Sequence, residues 1–94
     1  MRILGLLLLE AFKNEHANSR GQLDAWRMEV EQENWETPQD IKRRYPSVDF
    51  LPDNRIIFNI KGNSYCLVVK VRYQNRIIIV EWIGTHAEYS KKKF

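Results

Sequence analysis

The sequence predicts an α+β fold with helices first and strands after, and three observations carry that expectation. Apolar residues recur at the helical period through the first half of the chain, and at a period of two from Arg55 onward. β-Branched and aromatic residues crowd that second half, while Gly, Asn and Pro separate the blocks. With 94 residues, 44% apolar and 29% charged, the chain has a globular balance and room for two layers of secondary structure. The expected organisation is one domain over residues 1–94.

Met1 to Leu4 can open as a buried strand, after which the leucines run into Ala11-Phe12-Lys13, of helical composition. Asn18, Ser19 and Gly21 then supply turn and cap chemistry ahead of a second helix, whose Leu23, Trp26 and Val30 fall at i, i+3 and i+7. Glu29, Glu31 and Glu33 take its other faces, so these two helices are expected as an antiparallel pair over an apolar layer. Thr37 reads as the cap of a third, short helix, with Pro38 at its first position and an end before Pro46. Three strands follow: 55–60, 65–73 and 77–84, joined by turns at 61–64 and 74–76 into an antiparallel meander. Gly62 or Asn63 is expected to supply a positive φ in the first turn.

Strand parity sorts the two faces of that sheet. Ile56, Phe58 and Ile60 share a side with Tyr65, Leu67, Val69, Val71 and Tyr73; Arg55, Ile57, Asn59 and Lys61 share the other with Cys66, Val68, Lys70 and Arg72. Helices should cover the first face and leave Asn59, Lys61, Lys70 and Arg72 on an open cationic surface. The run Ile77 to Val80 is apolar on both sides and reads as an interior strand. Trp26, Trp35, Tyr65, Tyr73 and Trp82 read as packing residues, and Cys66 as a small filler.

Charge divides unevenly: residues 1–48 carry seven Lys or Arg against eight Asp or Glu, and residues 49–94 carry eight against four. The basic second half favours a polyanionic partner. A lone cysteine forms no internal disulfide, and Cys66 with His16 and His86 does not complete a zinc cage, so no metal or cofactor is expected. The leucine run is short and is closed at once by Glu10. No small-x-small pattern follows, so a secretory signal is not expected; nor does the run reach the roughly 20 apolar residues of a bilayer span. The expected location is the cytoplasm, with no membrane partner.

The segments Phe58-Asn59-Ile60-Lys61-Gly62-Asn63, Tyr65, Leu67-Val68-Val69 and Ile83-Gly84-Thr85-His86-Ala87-Glu88-Tyr89 resemble those of the HigB-type toxins. Trp26, Asn34-Trp35, Thr37-Pro38 and Arg44-Tyr45-Pro46-Ser47 fit the same pattern, so the resemblance runs along nearly the whole chain. It implies the fold of the RelE-like superfamily, a small twisted, mainly antiparallel sheet with two to three helices packed on one face. It also implies the toxin of a type II toxin-antitoxin pair, a ribosome-dependent, metal-independent mRNA endoribonuclease that inhibits translation. The implied partners are mRNA on the ribosome and a helix-turn-helix antitoxin of the HigA type. The free toxin is expected as a monomer, and the antitoxin complex as a hetero-oligomer in which an acidic or amphipathic segment covers the basic sheet.

One departure from the family pattern stands out: the resemblance leads to an expected arginine after Tyr65, and this chain has Cys66. A neutral thiol lacks the permanently charged fork that would grip a phosphate. The alternative reading is therefore a weakened homologue that serves as a ribosome- or antitoxin-binding module. Metal-free RNA cleavage needs a base for the 2′-hydroxyl, cations for the phosphorane and a proton for the leaving oxygen. His86, Tyr89, Arg72 and Lys61 are the catalytic candidates, with Asn59, Asn63, Lys70 and Glu88 as RNA contacts. Their plainer readings are a turn histidine, a solvated strand face and a tight turn at Lys61-Gly62-Asn63.

Overall fold

The computed structural model describes residues 1–92. In chain order the elements are β1 (Arg2–Leu4), α1 (Leu6–Glu15), a 3-10 turn (Ala17–Ser19), α2 (Arg20–Gln32), α3 (Pro38–Arg44), β2 (Asp49–Leu51), β3 (Arg55–Ile60), β4 (Tyr65–Arg72), β5 (Ile77–Thr85) and α4 (His86–Ser90). The architecture is α+β: the strands form one sheet in the order β1-β5-β4-β3-β2, parallel between β1 and β5 and antiparallel elsewhere. The meander of β3, β4 and β5 follows the sequence expectation, and β5 lies inside the sheet between β1 and β4. The short β2 and α4 had no counterpart in the sequence reading.

The stripe on α2 does what its spacing dictates: Leu23, Trp26 and Val30 are all buried. They join Leu9 and Phe12 of α1, Ile41 of α3 and the inward residues of β3, β4 and β5 in one continuous core. The leucine run at the start of α1 thus resolves into an amphipathic turn, with Leu9 buried and Leu7 86% exposed. Thr37 caps α3 through a reciprocal pair with Asp40, and Pro38 occupies the first turn. Lys13 is buried, yet its ammonium bonds Glu10 at 2.9 Å and Asp24 at 2.5 Å, tying α1 to α2 while staying fully paired.

Register gives the sheet its shape. Val69 faces Val80 and Val68 faces Trp82, so Glu81 is an extra residue on β5. Such a bulge bends its strand and re-aims the side chains around it. Glu81 reaches across β4 to Arg55 at 2.7 Å, and Trp82 packs on the face opposite the main core. The turn between β3 and β4 places the left-handed backbone at Lys61 (φ 53°) and Gly62 (φ 63°), not at Asn63. Of the basic tail, Lys91 and Lys92 are exposed, whereas Lys93 lies outside the described residues.

Gly5 turns the chain from β1 into α1 at φ 84°, and a Cβ built there would stand 2.7 Å from the Val80 carbonyl oxygen. Left-handed backbone and a clash with a fixed backbone atom act together, so Gly5→Ala is expected to lower unfolding free energy by at least about 2 kcal/mol in urea titration. Carboxyls set the acid limit. The Lys13 ammonium holds Asp24 below the usual carboxyl range, the Glu36 N–H holds Asp40 down, and the Thr85 N–H holds Glu88 down. A carboxyl whose folded value lies below its unfolded one stabilises the fold above the unfolded value and loses that contribution as pH falls through the folded one. The urea midpoint is therefore expected to stay level down to about pH 5 and to fall below about pH 4.

Candidate functional site

The second face of the sheet is divided rather than continuous, and β4 shows why. Along that face run Cys66, Val68, Lys70 and Arg72, so the half next to the β3–β4 turn is apolar and the far half is basic. Ile57, Cys66 and Val68 are buried there under Leu51 of β2, Trp82 of β5 and Tyr89 of α4. The Trp82 ring lies on the backbone at Gly84, where a Cβ would come within 2.6 Å of it. Only glycine admits this contact. Tyr89 completes the cover with its ring 6.0 Å from that of Trp82.

This corrects the open cationic surface expected from parity. Side-chain alternation assigned the faces properly, but α4 and Trp82 cover the middle of the second one. Lys70 and Arg72 lie at the end remote from the turn; from Tyr65 to Lys70 the strand rises about 17 Å. Lys70 is half-buried opposite Arg55, and with the exposed Arg72, Asn54, Gln74 and Asn75 it lines a cavity of about 240 Å³. The Arg55 guanidinium is neutralised by Glu81, which leaves Lys70 and Arg72 as the main cations of this concavity. Trp82, expected in the core, belongs to this second cluster.

The other candidates gather at the turn end. Lys61 and Asn63 are exposed on the turn itself, and the Lys61 N–H donates to the side-chain oxygen of Gln22 on α2. Asn59 is half-buried, its amide donating to the Ser47 carbonyl at 2.9 Å. His86 is exposed as the first residue of α4, and its backbone N–H donates to the Ser64 carbonyl at 3.1 Å. This bond fastens α4 to the turn. Thr85 caps α4 reciprocally with Glu88: the Glu88 N–H donates to the threonine hydroxyl at 3.1 Å, and the Thr85 N–H donates to the Glu88 carboxylate at 2.8 Å. Glu88 is thereby held as an ionised, structural carboxylate. Burial, then the neighbouring Cys66 and Asp49, push the Tyr89 phenol up and keep it neutral.

Two residues that the sequence reading did not count among the catalytic or RNA-contact candidates also stand at this end. His16 closes α1 beside Tyr65, and Gln22 grips the turn from α2. Nothing in their spacing announced them, because the fold alone brings the end of α1 to the start of β4. The helix α4 did leave a signal, the Thr85-x-x-Glu88 pattern of a capping box. Among the described residues, no cluster of three or more His, Cys, Asp or Glu is arranged to hold a metal ion.

A helix-backed, five-stranded mixed sheet is the α+β architecture that the sequence likeness implied. Residues 19–92 match the family model of the HigB toxin, described as the RelE-like toxic component of a toxin-antitoxin system. The chain belongs to that family. It is therefore the toxin of a toxin-antitoxin pair, with an antitoxin as partner. A search of curated proteins gives no match to the chain.

The cover over Cys66 can be probed chemically. Its thiol is 1% exposed, and burial pushes it up, so little thiolate exists at neutral pH. Alkylation by iodoacetamide in the native protein is expected to run at least about a hundredfold slower than in urea, and Tyr89→Ala is expected to recover much of that difference while the far-UV spectrum stays native. Equal rates in the native and unfolded chains would show that α4 does not cover the face.

Proposed function

We propose that this toxin is a ribosome-dependent endoribonuclease that cuts translated mRNA with side chains alone, through the group at the β3–β4 turn. The observation that carries this reading is the placement of His86, Lys61, Asn63 and Asn59 at the β3–β4 turn end of the sheet, in a chain that belongs to a RelE-like toxin family. Lys61 offers a cation for the phosphorane, and His86 a proton-transfer group within the same turn region. Tyr89, kept neutral, serves as a hydrogen-bonding and stacking group rather than an acid, and Glu88 orients the start of α4.

Lys70 and Arg72 take a different part in this reading. About 17 Å (Lys70) and about 23 Å (Arg72) along β4 from the turn, they suit backbone phosphates beyond the cut, so they position RNA without touching the reacting atoms. Their concavity carries the amide groups of Asn54, Gln74 and Asn75, which fit sugar and phosphate oxygens. The proposed seat of the toxin is the cytoplasm, where its message lies, and the proposed antitoxin is a helix-turn-helix protein.

A second reading rests on Cys66. Where the family resemblance leads one to expect arginine, the chain has a thiol sealed beneath Tyr89 and Trp82, which fits a weakened homologue that binds the ribosome or its antitoxin without efficient cleavage. The experiment is induction of the toxin without antitoxin, with mapping of mRNA 5′ ends. Codon-phased cuts and growth arrest are expected, with His86→Ala reducing cleavage by about a hundredfold at unchanged protein level. Co-sedimentation with ribosomes over intact mRNA would establish the binding module instead.

A further inference from the structure

The structure brings a second imidazole to the turn end of the sheet. His16 closes α1 with its ring 4.3 Å from that of Phe12, inclined 26° to it, and 5.4 Å from that of Tyr65. Phe12 and Tyr65 meet edge to face at 5.1 Å, and the Tyr65 hydroxyl donates to Asn18 Oδ1 at 2.6 Å. Two rings on two elements thus fix the plane of the imidazole, and part of its surface remains open to solvent. A catalytic group needs this combination of a locked orientation and access to substrate.

His16 and His86 are anchored on consecutive residues of the chain. The His86 backbone bonds Ser64, while the His16 ring packs on Tyr65, whose register partner Thr85 immediately precedes His86. The Glu88 carboxylate on α4, held down by its bonds to Thr85, also feels the His16 imidazole, which places His16 within electrostatic reach of the helix that His86 opens. The ring contacts of His16 are therefore Tyr65 from β4 and Phe12 on its own helix, and the Glu88 carboxylate of α4 acts on it at longer range.

We propose that His16 is a second proton-transfer group of this site, working opposite His86 on the two oxygens that exchange at the scissile phosphate. The proposal rests on the ribonuclease reading above. One neutral imidazole takes the proton of the ribose 2′-hydroxyl as the O2′–P bond forms. The P–O5′ bond breaks, its electron pair stays on O5′, and the other imidazolium gives that oxygen a proton. The products are a 2′,3′-cyclic phosphate and a 5′-hydroxyl end. One proton is taken up and one released, so the step balances without a co-reactant.

The test is single-turnover cleavage of a defined mRNA on programmed ribosomes by the full-length toxin, followed from about pH 5 to about pH 9. The wild type is expected to give a bell-shaped profile. His16→Phe, which retains a ring against Phe12 and Tyr65, is expected to lower the rate about a hundredfold and to remove one limb, with an unchanged thermal midpoint; His86→Ala is expected to remove the other. A wild-type rate with both limbs in His16→Phe overturns the proposal, as does a wild-type profile with one limb only. If His16→Phe does not fold, His16→Gln is read by the same two criteria. A wild type that binds ribosomes and never cuts sinks the nuclease reading itself, whereas a cutting wild type beside an unaltered His16 variant sinks the proposal alone.

Discussion

Burial of β4 on both of its faces is the constraint from which the rest of the molecule follows. It is the middle strand of five, and its Tyr65, Leu67, Val69 and Val71 enter the main core while Cys66 and Val68 enter a smaller one behind. A strand that alternates into two apolar layers cannot also present an unbroken row of charges. The cations of the second face are therefore displaced to its ends, Lys61 at the turn and Lys70 and Arg72 at the opposite limit. Two aromatic residues, Trp82 and Tyr89, close the interval between them.

The bulge on β5 is what makes this cover possible. Without Glu81 as an extra residue, the position after it would fall on the other side of the sheet by simple alternation. With it, Trp82 lies over Gly84 and against Tyr89, and Glu81 satisfies Arg55. Much of the second face is thus settled by one irregularity. The left-handed backbone at Lys61 is a comparable local choice: glycine would relieve it, whereas lysine keeps a cation on the turn to which the His86 backbone is bonded.

The sequence disclosed those features that repeat with a period. The stripe Leu23, Trp26, Val30, the parity of β3 and β4, and the capping of α3 by Thr37 are each written in local spacing, and local spacing determined them. The expected continuous cationic surface failed for a different reason. Parity tells which side a residue takes but not what lies over it, and the cover comes from β2 and α4, elements of three and five residues, too short to display a period. A bulge is equally silent in sequence, since Glu81 between Val80 and Trp82 reads as ordinary alternation. His16 was weighed only as a metal ligand, because its neighbour Tyr65 and the Glu88 carboxylate that feels it are far from it along the chain and are brought to it only by the fold.

Cys66 draws these strands of argument together. Its position lies beside Asn59 on β3 and Gly84 on β5, and all three residues are small or tied down, so the space above them is filled by Trp82 and Tyr89. A longer, charged side chain at that position would need an outlet past Tyr89 to keep its head in water, because an unpaired buried guanidinium is strongly disfavoured. The cysteine and the closed cover are therefore two aspects of one arrangement: a compact residue lets α4 settle onto the sheet. In this chain the positive charge of the second face is left to the turn, as Lys61, and to the far end of β4, as Lys70 and Arg72. The face between them holds α4, and with it His86, in place.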